Sequence, residues 1–246
     1  MFGLFSPRCP LEISIKAWIE RRFRDLAAVI GADRIRQTEI LTPEHPDLPQ
    51  NFSGSEQELA ALFGQVCYWM DQPYEAFQLA TTEDTQLGGA SGAYLGPETP
   101  NDRPRIILAQ SLAQDPGRLL ATSAYLIAHE VVRQKFPEIA RSQDASWTID
   151  LVQACYGLGV YAANSLRRGG AGGCGSGGCS SCGPDETATK GVLTPTNYGH
   201  VLALLAWVRN EESPVWAESV SPEVGHSMKP GLKYLTKTGD CVFNRD

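Results

Sequence analysis

Residues 118–134, RLLATSAYLIAHEVVRQ, read as one buried helix that carries a histidine–glutamate pair, His129–Glu130, near its end. Leu119, Leu120, Ala124, Ile127, Ala128 and Val131 recur at the three- and four-residue spacing of a core-facing stripe. Asp115–Pro116 supplies a start signal, an acidic cap followed by proline in the first turn. Phe136–Pro137 supplies the stop, because a residue before proline is pushed out of the helical region. The elements on either side of this helix give an α+β chain, mostly helical, with a small sheet. All 246 residues are expected in one domain.

A polar pair inside so apolar a helix calls for a reason, and zinc is the first to consider. In the H-E-x-x-H motif two histidines four apart bind the metal from one helix face, and the glutamate activates water. Here the run is His129, Glu130, Val131, Val132 and then Arg133. Arginine has no lone pair to give a metal. The bland reading is a helix-end His and Glu bonded locally; the sharper one is a relic metal site.

Composition bounds the rest. At 246 residues the chain can bury a substantial core, and its formal charge of −7 argues against a general nucleic-acid binder. No apolar run reaches a membrane span. The opening MFGLFSPRCP has too short an apolar run for a signal peptide, so cytoplasmic residence and reduced cysteines are the expectation.

In chain order, residues 11–30 form an amphipathic helix with Leu11, Ile15, Trp18, Ile19, Leu26 and Val29 inward and RRFR at 21–24 solvated. A proline-rich connection holds His45, read as surface. Ser55 and Glu58 have capping-box spacing before a helix over 55–70, in which Cys67 is a buried thiol. Residues 74–81 alternate like a strand, LGGASGAYLG reads as a turn or lid, and residues 103–110 give a strand running into the His129 helix. A long helix over 145–167 follows, with Asp150 one turn in. That carboxylate either faces solvent near the positive helix end or points back toward His129. A helix over 195–209 carries His200, read as a surface residue or a metal ligand. Residues 213–231 read as a polar turn region containing His226, and 231–240 as a short final helix.

Several of these pieces together resemble a family of uncharacterised bacterial proteins, of planctomycete type, with a zincin-like HExxH helix. The matching runs are AHEVV at 128–132, TIDLVQACYGLGVYAAN at 148–164, YGHVLALLAWVRNE at 198–211 and GLKYLTKTGD at 231–240, together with the N-terminal CPLE and WIERR. The resemblance covers most of the chain and implies a zincin-like fold. It gives His129 the part of first metal ligand, Glu130 that of general base and Asp150 that of a further ligand. Arg133 stands where the second histidine belongs. His129 and Asp150 leave two ligands where catalytic zinc takes three plus water. Arg133 lies one turn after His129, and its guanidinium could supply the ion's positive charge, paired with Glu130, Asp150 or both.

A second distinctive stretch, RRGGAGGCGSGGCSSCGPDE at 167–186, spaces Cys174, Cys179 and Cys182 as C-x4-C-x2-C. That is the first part of the plant-type ferredoxin signature, but the fourth cysteine is missing at the expected distance. The loop reads as a flexible insertion over 168–186, as an iron–sulfur site or a zinc site with His200 as fourth ligand, or as a redox segment. The expected function is a non-catalytic relative of a zinc metallopeptidase, binding a protein or peptide partner. A residual metal-dependent hydrolase using Glu130, and a metal or iron–sulfur carrier using the cysteine loop, are the alternatives.

Overall fold

The computed structural model describes residues 7–49, 51–166 and 193–243. The elements run α1 (Ile13–Ile30), α2 (Ala32–Gln37), α3 (Glu56–Trp69), β1 (Gln78–Thr82), β2 (Gly92–Leu95) and β3 (Arg105–Ala109). Then come α4 (Pro116–Lys135), α5 (Pro137–Ala140), α6 (Ala145–Cys155), α7 (Gly159–Leu166), α8 (Pro195–Val208) and α9 (Pro222–Thr238). Among the described residues the architecture is α+β, mostly helical, with a small three-stranded sheet. Among the described residues no helix is long and apolar enough to cross a membrane.

Helix α4 starts and stops where its sequence signals lie. The Asp115 carboxylate accepts from the Arg118 N–H at 2.9 Å, satisfying one of the donors a helix start leaves open. Pro116 occupies the first turn, where its missing N–H costs nothing. Leu119, Leu120, Ala124, Ile127, Ala128 and Val131 are all buried. The helix packs on α3, α6, α7 and β2, so it is wrapped on most sides. Ser55 and Glu58 form the full capping box at the start of α3.

The sheet has the order β1-β3-β2, with β1 parallel and β2 antiparallel to β3. The strand that feeds α4 is therefore the middle one, and β2 is an edge. Strand β1 begins only at Gln78, after a 3-10 turn over Tyr74–Ala76 that follows Pro73. The segment expected to be a turn or lid contains β2. Its glycine serves close approach rather than looseness: a Cβ on Gly92 would lie 2.8 Å from both the Ile107 carbonyl oxygen and Leu126 Cδ1. The strand can thus sit hard against β3 and α4.

Three further expectations change. The helix expected over 145–167 is broken into α6 and α7 at Gly157, whose φ of +83° is left-handed. Here the chain from α2 crosses: a Cβ at Gly157 would lie 2.1 Å from the Glu39 carbonyl oxygen, and the Gly157 carbonyl accepts from the Leu41 N–H at 2.9 Å. At the C-terminal end α9 begins at Pro222, so much of the expected polar turn is helix, and Pro230 sits inside it. A mid-helix proline is a poor guide to a boundary when packing outweighs its cost, and α9 packs closely along α8. Helix α1 keeps most of the expected face, with Ile19 and Leu26 buried and Leu11, Ile15 and Trp18 packed on the core, but departs at its edges. Phe23 is buried and Val29 is 48% exposed, and Lys16 and Glu20 face inward instead.

Candidate functional site

The end of α4 and the edge strand β2 build one polar cluster. Glu130 is 1% exposed, and both of its oxygens are used. Oε2 accepts from the Tyr94 hydroxyl at 2.5 Å and from Arg133 Nε at 2.7 Å. Oε1 accepts from Arg133 Nη2 and Gln134 Nε2, each at 2.6 Å. Helical geometry explains the set, since residues three and four ahead of Glu130 share its face. The guanidinium meets the carboxylate as a two-pronged fork, which sets orientation as well as attraction. Burial pushes the Glu130 carboxyl up, but donors from Arg133, Tyr94 and Gln134 outweigh it and hold the group below the usual carboxylate range. Burial and then the hydrogen bond to Glu130 keep the Tyr94 phenol protonated. Hydrogen bonding to Glu130 makes the Arg133 cation firmer still.

His129 lies beside this cluster between two rings. Tyr94 stacks on it at 5.3 Å between centroids and 14° between planes, and Tyr125 meets it edge-on at 5.0 Å. Its Nε2 is buried and has no hydrogen-bond partner among the described residues. Burial pushes the imidazole down to about 4, so it is neutral at physiological pH.

These residues do not fit a zinc ion. Catalytic zinc needs three protein donors converging on an open position. Arg133 cannot be one, and Glu130 has both oxygens committed to four donors. Among the described residues no group of three His, Cys, Asp or Glu side chains is placed to hold a metal.

Asp150 lies elsewhere. It is 4% exposed, and its Oδ2 accepts from the Leu193 N–H at 2.8 Å. Gln153 Nε2 approaches Oδ1 at 3.5 Å, the outer limit of a hydrogen bond. Neither the solvent-facing reading nor the one that aimed it at His129 describes it. Its side of α6 is buried, and it lines a cavity of about 570 Å³ bounded by α4, α6, α7 and the start of α8. Burial pushes its carboxyl up to about 7, against the pull of the Leu193 N–H. Arg133 gives its hydrogen bonds to Glu130, not to Asp150.

No family model, curated protein or solved structure matches this chain. The family resemblance rests on the sequence motifs alone.

The other candidates scatter. Cys174, Cys179 and Cys182 lie outside the described residues, as does the whole expected insertion over 168–186. His200 is fully buried rather than on a helix surface, its Nε2 3.7 Å from Glu20 Oε1. Lys16 joins the same carboxylate at 2.9 Å, so His200 belongs to an internal charge cluster between α1 and α8. His45 is pinned rather than free: its Nδ1 accepts from the Asp47 N–H, its Nε2 is 3.2 Å from Glu39 Oε1, and its ring meets Trp69. His226 is exposed.

Sequence reading missed Tyr94 and Gln134. Gln134 was visible in principle, four residues after a buried glutamate. Tyr94 carried no such signal, because the glycines around it masked the strand that presents it.

Proposed function

We propose that this protein is a non-catalytic, zincin-like relative of the zinc metallopeptidases, acting as a binding protein for a protein or peptide partner. The observation that carries the reading is the state of Glu130. A general base needs an oxygen within reach of water and a pKa suited to taking its proton. Glu130 has neither, since Tyr94, Arg133 and Gln134 occupy both oxygens and hold its proton affinity low. Arg133 delivers the positive charge that an ion would bring to this position, and it does so from the place of the missing histidine. The helix keeps the motif's architecture while the chemistry is lost. Cytoplasmic residence belongs to the same reading.

The test is hydrolysis of unfolded casein by the purified protein with zinc added, beside Glu130→Gln. The expected result is no turnover above buffer for either protein. Turnover by the wild type that Glu130→Gln abolishes would establish the hydrolase instead. An absorption band in the visible that a Cys174/Cys179/Cys182 triple serine variant removes would move the function to the cysteine loop as an iron–sulfur site.

A further inference from the structure

The cavity beside Asp150 is not used by the cluster at His129, and it has the make-up of a ligand site. About 570 Å³ lies within the usual range for small-molecule pockets. Much of its wall is apolar, from Leu48, Pro116, Leu120, Ala162, Leu166 and Leu193. A few polar groups break that wall, and Asp150 is the most deeply placed carboxylate among them.

We infer that this cavity binds a small amphiphilic amine, its ammonium group meeting the Asp150 carboxylate and its apolar body lying along α4 and α7. Three observations support this class of ligand. First, among the described residues Asp150 Oδ2 has one good donor, while Oδ1 has only the long contact from Gln153. A carboxylate with acceptor capacity left over is suited to a charged N–H donor. Second, among the described residues no cationic side chain meets the Asp150 carboxylate, whose partners are the Leu193 N–H and the Gln153 amide. Arg118 is directed at Ser91, whose Oγ accepts from its Nε at 3.0 Å and its Nη2 at 2.5 Å, and not at Asp150. Third, no group of three metal-binding side chains is present among the described residues, so an organic cation suits the site better than a metal ion.

The burial that raises the Asp150 carboxyl makes its ionised form costly to the empty protein. An ammonium partner offsets that cost on binding, so the site discriminates between an amine and its neutral isostere. The ionisable groups around it are Cys155 on α6, Tyr198 on α8, Tyr161 on α7, and Tyr125, Arg118 and Asp115 on α4 or at its cap. Burial keeps the Cys155 thiol and the Tyr161 and Tyr198 phenols neutral through the working range. This inference goes beyond the binding role proposed above and does not depend on the relic site. Zinc at His129 would leave it standing, and failure of amine binding would leave the relic reading standing.

Calorimetric titration of the full chain with phenethylamine, 2-phenylethanol and phenylacetate at pH 8 tests it. Phenethylamine is expected to bind at least about ten-fold more tightly than the alcohol, the scale of one hydrogen bond to a charged group. Asp150→Asn should bring the two within about three-fold, while Asp115→Asn, which keeps the α4 cap, should leave the preference in place. A second reading needs no variant. On wild-type protein the preference should shrink as pH falls from 8 to 5.5, because Asp150 takes up a proton while the amine stays charged. No saturable phenethylamine binding, equal binding of amine and alcohol, tighter binding of phenylacetate, or a preference that follows Asp115 would each overturn the proposal.

Discussion

Replacing Glu130 with glutamine probes the polar cluster with almost no change in shape. The carboxylate accepts four hydrogen bonds, two on each oxygen. An amide offers one acceptor oxygen, so its NH2 must confront two of those donors whichever way it turns. Facing the Oε2 side is the milder choice, since the Tyr94 hydroxyl can rotate and accept, leaving Arg133 Nε–H stranded. Hydrogen bonds to charged groups contribute about 1.5–3 kcal/mol each. The Arg133 side chain is 43% exposed, so water recovers part of the loss. The expected destabilisation is about 2–4 kcal/mol, or about 4–16 °C in Tm for a chain of this length. Urea and thermal unfolding of Glu130→Gln, Arg133→Met and the double variant measure it. The double-variant cycle should return a coupling of about 1–2 kcal/mol, as for residues in one network. The sign with pH is also fixed. Glu130 is depressed in the folded state, so its contribution is complete above the ordinary carboxylate pKa of about 4.3 and is lost as pH falls through the lower folded value. Glutamine should flatten the stability profile in that acid window. A loss under about 0.5 kcal/mol, or strict additivity with Arg133→Met, would refute the network reasoning.

Other expectations follow from single residues. His129 titrates near 4 when folded and about 6.5 when unfolded, so acid favours unfolding across that interval, by about 2 kcal/mol at pH 5. His129→Phe should match the wild type within about 1 kcal/mol at pH 8 and exceed it by about 2 at pH 5, read from urea midpoints. Asp150 is shifted upward in the folded state, so its ionisation weakens the fold as pH rises from about 4 toward 7. Asp150→Asn should stabilise the protein by about 2–4 kcal/mol at pH 8, a gain that fades by pH 4. Gly157→Ala should cost about 2–4 kcal/mol, combining left-handed strain with a Cβ placed 2.1 Å from the Glu39 carbonyl oxygen. A change below 1 °C in Tm would mean that the chain crossing there yields freely.

The sequence made α4 plain from end to end, because stripe, cap and stop all lie within it. The α3 capping box was plain for the same reason. What the sequence concealed depends on partners distant along the chain. The break at Gly157 exists because residues 38–41 cross there. The strand holding Tyr94 exists because Gly92 lets it close on β3 and Leu126. Continuous helix α9 survives its internal proline by packing on α8. At the candidate site, Arg133 facing Glu130 could be inferred from spacing along one helix. Asp150 could not be placed the same way, since its orientation is fixed by Leu193, far ahead in sequence.

We propose that the HEVVR helix holds its arginine–glutamate pair in place of a metal. Elemental analysis of zinc in the wild type beside His129→Ala tests it most directly, because the subtraction removes any metal held by the cysteine loop. Equal metal content in the two proteins is the predicted result. Close to one zinc per chain, lost when His129 is replaced, would contradict the account and restore the hydrolase.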